Sequence, residues 1–582
     1  MNKEEIQKEY SRWKATIAES DLLEELDSLN EEQVHDAFYR DLEFGTGGLR
    51  GVIGVGTNRM NVHVVAKATQ GLSDYINATF DAKDGLVAIS RDSRIKSDIF
   101  AKVAAEVFAA NGIKVMMYDD ISPVPTLSYA VRYLHCCIGI MITASHNPSK
   151  YNGYKVYGSD GCQITTEAAK AIYSYIEKTD VLNGYKRMSF EEGLGRGLIS
   201  SIPSKVIDSY VDEVKNQSLL DGQDVDKGIS IVYSPLNGTG LKPITRVLKE
   251  LGYTNVIVVK EQEQPDGNFP TCPYPNPEIK EALSLGLEYC RRYNADLMLA
   301  TDPDCDRVGI AVKNKDGEYE LLSGNEVGLL LFDYICSRRI ALGKMPKNPV
   351  MVKTIVTMDL AERIAENYGV KTINVLTGFK FIGEQIGLLE KQGRESDYIF
   401  GFEESYGYLT GSYVRDKDGV NGATMICEMF TYYKSKGISL LYKLEDIWNK
   451  YGYCLNTLHS YEFNGESGSI KMKGIMDGLR SGPIDIPEFV VKKKLDYING
   501  LDGLPKSNVI KLVGESDSIV FRPSGTEPKL KLYLSICSEN KELAQLREKT
   551  IVEAVEKYFT NSTHPPAHSN YGSGGMGMEE SW

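Results

Sequence analysis

From about residue 40 onward, the sequence alternates short apolar, β-rich runs with helical stretches. That alternation points to α/β domains with mainly parallel sheets, because parallel neighbours need a long crossover, which a helix supplies. Residues 85–90 read as a strand, 95–111 as a helix stopped by Asn111-Gly112, and 114–118 as the next strand. A second block opens at 228–233 and reaches about Lys313; a third runs from about 349–352 to about Tyr433. The last block, about 450–560, has strands at 518–521 and 529–534 before a helix at 541–558. A chain of 582 residues is too long for one core. Three α/β blocks and a smaller α+β block are expected. Residues 1–40 read as helices, with Trp13, Ile17, Leu22 and Leu26 near helical spacing. The tail, 561–582, is rich in Gly, Ser and Pro and is expected to be disordered.

The formal net charge of -14 argues against a nucleic-acid partner, which calls for a basic surface. It leaves room for an anionic substrate in a local basic pocket. The ten cysteines include no CxxC pair and read as buried, reduced thiols rather than disulfides or zinc ligands. The first twenty residues are charged and amphipathic, without the apolar region of a signal peptide. No apolar run approaches the ~18 residues of a membrane span. A soluble, cytoplasmic protein without a membrane partner is expected.

Four loops carry chemistry. Thr143–Lys155, TASHNPSKYNGYK, follows an apolar run and sets Ser145 beside His146. Its Asn-Pro and Asn-Gly pairs also suit a plain surface turn, and no GxSxG elbow is present. Thr301–Arg307, TDPDCDR, lies between two apolar strands. Asp302, Asp304 and Asp306 would repel one another there unless a cation joined them, and oxygen-only ligation suits Mg²⁺. Cys305 alternates with these ligands and reads as packing. The loop beginning Gly401-Phe402-Glu403-Glu404-Ser405 offers carboxylates and a hydroxyl to a polyol; the adjacent glutamates are expected to diverge. Arg522-Pro523-Ser524-Gly525-Thr526-Glu527-Pro528-Lys529 has the arginine, hydroxyls and glycine of an oxyanion cradle. Arg50, Lys155 and Lys380 are basic residues near these or other glycine-containing loops.

The order TASHNP, DPDCDR, GFEES, RPSGTEP resembles the α-D-phosphohexomutase superfamily, over about residues 40–558. GTGGLRG at 45–51 and the run at 401–419 look like its phosphoglucomutase/phosphopentomutase branch. The resemblance implies an α/β protein of four domains around a central cleft. Their limits would be 1–205, 206–320, 321–445 and 446–560. It implies that Ser145 carries a phosphoryl group and that Asp302, Asp304, Asp306 and a phosphoserine oxygen hold Mg²⁺. The implied reaction interconverts α-D-glucose 1-phosphate and glucose 6-phosphate through glucose 1,6-bisphosphate. Glu403 and Ser405 would read sugar hydroxyls, and Arg522, Ser524, Gly525 and Thr526 would clamp the distal phosphate. Lys155 and Arg50 would orient the transferred group or move a proton. His146 would contact phosphate, Arg307 would support the metal loop or the phosphoserine, and Lys380 would add positive charge. The partners implied are small sugar phosphates, for a monomer or weak homodimer. Pentose or mannose phosphates, or catalytically silent sugar-phosphate binding, are the alternatives.

Overall fold

The computed structural model describes residues 1–45, 47–81, 85–463, 465–482, 485–524, 528–560 and 568–571. Three short helices, Lys3–Thr16, Ser20–Ser28 and Glu31–Phe38, come first. Asn2 and Asn30 close capping boxes with Glu5 and Gln33, satisfying N–H groups that the first turn leaves open. Trp13, Leu22, Leu26 and Phe38 are buried in the same apolar cluster as the first sheet, so these helices lie on it.

Four sheets follow in chain order. The first has seven strands, from Phe44–Gly45 to Ile199–Ser201; the second has five, from Ile231–Ser234 to Tyr319–Leu322. The third has four, from Val350–Thr354 to Gly407–Leu409, and the fourth has six, from Tyr453–Glu462 to His568–Tyr571.

The expectation of mainly parallel sheets needs correcting. In the first sheet the strands Leu86–Arg91, Lys114–Met117, Ile138–Ile142 and Ile199–Ser201 run parallel, but Tyr151–Gly158 returns antiparallel beside Ile138–Ile142. The second and third sheets repeat the change. Leu297–Thr301 is parallel to Ile231–Ser234 and antiparallel to Val308–Lys313. Tyr398–Glu403 is parallel to Val350–Thr354 and antiparallel to Gly407–Leu409. The fourth sheet is antiparallel throughout. The physical reason is loop length: Ser145, Asp302–Asp306 and Glu404–Ser405 lie on connections too short for a crossover, so the chain must turn straight back. Each functional loop of the first three sheets is therefore the hairpin where parallel pairing ends.

The tail reading also changes in part. His568–Tyr571 pairs with Leu458–Tyr461 at an edge of the fourth sheet. An open edge offers N–H and C=O groups to any passing strand, whatever its composition. The remainder of the tail, 561–567 and 572–582, lies outside the described residues. No helix among the described residues is long and apolar enough to cross a membrane.

One apolar cluster runs through the first three sheets, whereas the fourth has a core of its own around Phe463, Leu532 and Phe559. The fourth sheet meets the third through a small cluster that includes Ile355, Leu376, Val509 and Tyr533. Charges close that seam. Lys353 Nζ reaches Asp359 at 2.9 Å and Glu362 at 3.1 Å. Lys511 Nζ donates to both Asp359 oxygens at 2.9 and 3.0 Å, and Ser518 Oγ donates to Asp359 Oδ2 at 2.5 Å. Burial pushes the Asp359 carboxyl up, but the two ammonium groups outweigh it and hold it below the ordinary carboxylate range. Its contribution to stability is complete above the unfolded value of about 4, and is lost as pH falls through the lower folded value. Asp359→Asn is expected to lower stability at pH 7 by about 3 kcal/mol, because Lys511 then sits at the seam without its carboxylate. Urea unfolding of both proteins checks this, and the gap should shrink as pH is lowered below about 4.

Candidate active site

Ser145 sits just beyond the strand Ile138–Ile142 in the left-handed region, φ 53°. Cys305 (φ 52°) and Tyr406 (φ 64°) take the same unfavourable conformation in the hairpins of the second and third sheets. Each such residue costs about 1–3 kcal/mol, so surrounding contacts must impose it. At Ser145 those contacts are explicit. The Ser145 N–H donates to Thr143 Oγ1 at 2.8 Å, and Thr143 Oγ1 donates to Asp92 Oδ2 at 2.6 Å. Arg94, buried behind the loop, donates to four of its carbonyls: Pro148 at 2.9 Å, Tyr151 at 3.0 Å, Ser145 at 2.5 Å, and Asn147. The Asn152-Gly153 pair is not the turn its composition suggests. It lies in the strand Tyr151–Gly158, where a Cβ on Gly153 would stand 2.5 Å from the Thr143 carbonyl oxygen.

Ser145 Oγ donates to Asp302 Oδ2 at 2.9 Å and lies 3.3 Å from His146 Nδ1. Asp302, Asp304 and Asp306 are fully buried, and each offers a ligand oxygen within 4.8 Å of the others. Backbone N–H groups of Asp306 and Arg307 tie down Asp302 Oδ1 at 3.0 Å each. Asp304 Oδ1 and Asp306 Oδ1 are buried without a hydrogen-bond partner. Burial and mutual repulsion hold the Asp302 and Asp306 carboxyls above their usual range. Asp304, equally buried, is held low by Lys155. Cys305 is fully buried between these ligands, as its alternation indicates.

Three cations surround the three aspartates. Lys155 Nζ donates to Asp304 Oδ2 at 2.8 Å and stands 3.8 Å from Asp306. Lys417 Nζ lies 3.2 Å from Asp306 and 3.5 Å from Glu403. Arg307 pairs with Glu278 and approaches Asp302 and Asp306 at 3.9 and 3.8 Å. Arg50 Nη1 donates to Asn147 Oδ1 at 3.4 Å, which puts it on the serine loop. Burial and the nearby arginines depress the His146 imidazole well below its ordinary value, so it is neutral at pH 7.

The adjacent glutamates diverge as expected. Glu403 faces Lys417, while Glu404 accepts from Thr354 Oγ1 at 3.1 Å and Thr357 Oγ1 at 3.2 Å. Burial and Glu403 raise the Glu404 carboxyl, and Arg522 lies near enough to pull it back. Arg522 and Lys380 line one cleft of about 200 Å³, with Lys506, Thr377, Ser507 and Thr166. Ser405 is half-buried at the turn after Glu404, and the Ser524 N–H donates to the Lys529 carbonyl at 2.7 Å. Gly525 and Thr526 lie outside the described residues. The expected residues thus fall into two groups, one around Ser145 and the aspartates, the other around Lys380 and Arg522. Glu403 and Glu404 reach from one to the other.

Sequence reasoning missed Arg94, Asp92, Glu278, Lys417 and Lys506. An Asp and an Arg just past a buried strand end, in Ser90-Arg91-Asp92-Ser93-Arg94, are the one local signal for the first two. Lys417 stands in the Asp416-Lys417-Asp418 run without anything to mark it. Arg94→Lys is expected to slow turnover about 100-fold. One ammonium cannot serve four carbonyls as a guanidinium does, so Ser145 loses its position. Steady-state kcat, with KM nearly unchanged and the melting temperature lowered only modestly by the lost carbonyl bonds, checks this positioning role.

Residues 41–182, 208–317 and 323–451 match, in order, the alpha/beta/alpha domains I, II and III of phosphoglucomutase/phosphomannomutase. The chain belongs to this family. The phosphoglucomutase of Staphylococcus saprophyticus is 36% identical over 542 residues, spanning 91% of this chain and 96% of that protein. Among solved structures, the open form of pp63/parafusin, a Paramecium phosphoglucomutase, superposes with TM-score 0.70 at 17% identity, covering 91% of this chain and 98% of that one. A putative phosphomannomutase from Thermus thermophilus superposes with TM-score 0.66 at 22% identity, covering 89% and 99%. These two likenesses are of fold. The four-part phosphohexomutase architecture expected from the loop order is the one observed: three α/β/α domains and a C-terminal sheet domain.

Proposed function

We propose that the chain is a Mg²⁺-dependent phosphoglucomutase of the cytoplasm. It interconverts α-D-glucose 1-phosphate and glucose 6-phosphate through phospho-Ser145 and glucose 1,6-bisphosphate. The observation that carries this reading is the Ser145 hydroxyl, 2.9 Å from a buried three-carboxylate cluster with two unpartnered oxygens. Asp302, Asp304 and Asp306, with an oxygen on Ser145, fit a hard cation that takes oxygen ligands only. When bound, such a cation balances the charge of a transferring phosphoryl group.

The chain's own residues do the rest. Thr143, Asp92 and Arg94 hold the serine loop so that Oγ points at the aspartates. Phospho-Ser145 gives its phosphoryl group to the sugar hydroxyl: the P–O bond to Oγ breaks, the bond to the sugar oxygen forms, and the proton of the sugar hydroxyl ends on Oγ. Lys155 and Arg50 flank this step, where they orient the group or move the proton, and neutral His146 contacts phosphate. The bisphosphate then turns and returns its other phosphoryl group to Ser145. Glu403 and Ser405 accept from or donate to sugar hydroxyls. Arg307 keeps the aspartate loop in place through Glu278. The cleft of Lys380, Lys506 and Arg522 receives the phosphate not being transferred; the family resemblance assigns Ser524, Gly525 and Thr526 to the same clamp.

Ten thiols without a disulfide suit a reducing compartment. A monomer or weak homodimer acting on small sugar phosphates, divided near residues 205, 320 and 445, belongs to the same reading.

The test is an assay of glucose 1-phosphate conversion with Mg²⁺ and trace glucose 1,6-bisphosphate, run beside mannose 1-phosphate and ribose 1-phosphate. Glucose is expected to react fastest. A faster pentose or mannose reaction overturns the sugar assignment, and no reaction with any of the three overturns the mutase reading.

A further inference from the structure

Two of the ten cysteines face each other directly across the fourth sheet. Cys454, second in the strand Tyr453–Glu462, is the register partner of Cys537 in Lys529–Ser538. Their Sγ atoms are 3.0 Å apart. The Cys537 N–H points the other way, donating to Asp517 Oδ1 at 2.7 Å. The two residues therefore form a non-hydrogen-bonded pair, the closer kind, with Cα atoms about 4.5 Å apart. That spacing falls within the roughly 4.4–6.8 Å that a disulfide spans, so no backbone movement is needed to close one.

The pair differs from the other cysteines in access and in charge. Cys537 is half-buried, whereas the other nine are buried. Burial pushes seven other thiols up, at Cys136, Cys162, Cys272, Cys290, Cys305, Cys336 and Cys427. The Cys537 thiol goes down, through its hydrogen bond with Cys454 and the charge of Arg363, against burial and Asp517. Cys454 goes up in the same exchange. One partner is thus a reachable nucleophile, and the other stands ready as the resolving thiol.

We propose that Cys454 and Cys537 form a redox-modification site that closes to a disulfide when the protein meets a peroxide. Cys537 Sγ attacks one peroxide oxygen: the S–O bond forms, the O–O bond breaks, and the departing hydroxide takes a proton to leave as water. Cys454 Sγ then attacks the resulting sulfenic sulfur. The S–S bond forms, the S–O bond breaks, and the Cys454 proton leaves with the hydroxide as a second water. Two thiols lose two electrons and hydrogen peroxide gains them. The site lies at the entry to the last domain. The helix Leu440–Tyr451 ends at Gly452, φ 94°, two residues before Cys454, and Arg363 holds the Tyr451 carbonyl at 2.8 Å. The bond would close a loop between positions 83 apart and so brace most of that domain.

The full-length reduced protein, treated with hydrogen peroxide, alkylated and digested, tests this. A peptide pair joined through Cys454 and Cys537 is expected, with two of the ten thiols lost and both recovered by dithiothreitol. In Cys454→Ala, which keeps the fold because the position is a buried small side chain, the cross-link should vanish and Cys537 should pass on to sulfinic acid. Peroxide that leaves both thiols free, or that oxidises another cysteine first, overturns the proposal. So does Cys454→Ala protein that still loses its thiols only reversibly.

Discussion

Ser145→Ala is expected to lose mutase activity by a factor on the order of 10⁴ or more, with the melting temperature nearly unchanged. The reason for the first effect is chemical. Alanine has no oxygen to bear the phosphoryl group, and among the described residues no other side-chain hydroxyl donates to Asp302. The reason for the second is structural. The loop's shape is imposed by the backbone N–H of residue 145 on Thr143 and by four carbonyls on Arg94, none of which involves Oγ. Asp302 also keeps its two backbone donors. Initial rates with glucose 1-phosphate, and the mass of the protein after incubation with glucose 1,6-bisphosphate, check this together. A variant that retains full activity, or that still gains a phosphoryl group at this loop, would falsify the phosphoserine assignment.

Asp306→Asn should raise the Mg²⁺ concentration needed for half activity about 100-fold, the upper end of what even outer-sphere changes do to a metal site. The substitution keeps the shape of the side chain and removes its charge. Asp306 Oδ1 lies buried without a partner, so that oxygen makes no hydrogen bond whose loss would confuse the result. The local charge count gives the effect its direction. Lys155, Lys417 and Arg307 stand near Asp302, Asp304 and Asp306, with Arg307 also paired to Glu278 and Lys417 shared with Glu403. A divalent cation entering that set is also stabilised by a phosphate of charge about -2 on Ser145. With one carboxylate gone, Lys155, Lys417 and Arg307 remain, so the cluster attracts a cation less strongly. Calorimetric titration of Mg²⁺ without substrate reads the affinity apart from catalysis. Activity that persists after chelation, or an affinity equal to that of the parent protein, would sink the metal assignment.

Much of this site was readable before any fold was known, because its parts are local. The three aspartates stand at alternate positions between apolar strands, and their repulsion is a property of five consecutive residues. The serine loop and the arginine-serine loop likewise carry their chemistry within a few residues. The reading was weaker where chemistry came from afar. Lys417 looks like any surface lysine in its own segment, yet it joins Asp306 to Glu403. Arg94 acts on a loop more than 50 positions away. The turn reading of Asn152-Gly153 failed because a glycine needed for close backbone approach looks the same in sequence as one needed for a turn. Disorder was expected of a tail in which four residues pair with an open edge, since edge pairing recruits backbone rather than side chains.

The alternation of strand and helix, the presence of unlike blocks, and the residue types each loop offers were legible in the sequence alone, since backbone preference and short-range repulsion act within a few residues. Tertiary structure decided which loops became equivalent hairpins at the end of parallel pairing, and which charges met across them. Lys155 and Asp304 are 149 positions apart, Ser145 and Asp302 are 157, and Cys454 and Cys537 are 83. Contacts at such separations are set by strand register and by the packing of one sheet's loops against another's, and no local pattern in the chain encodes either.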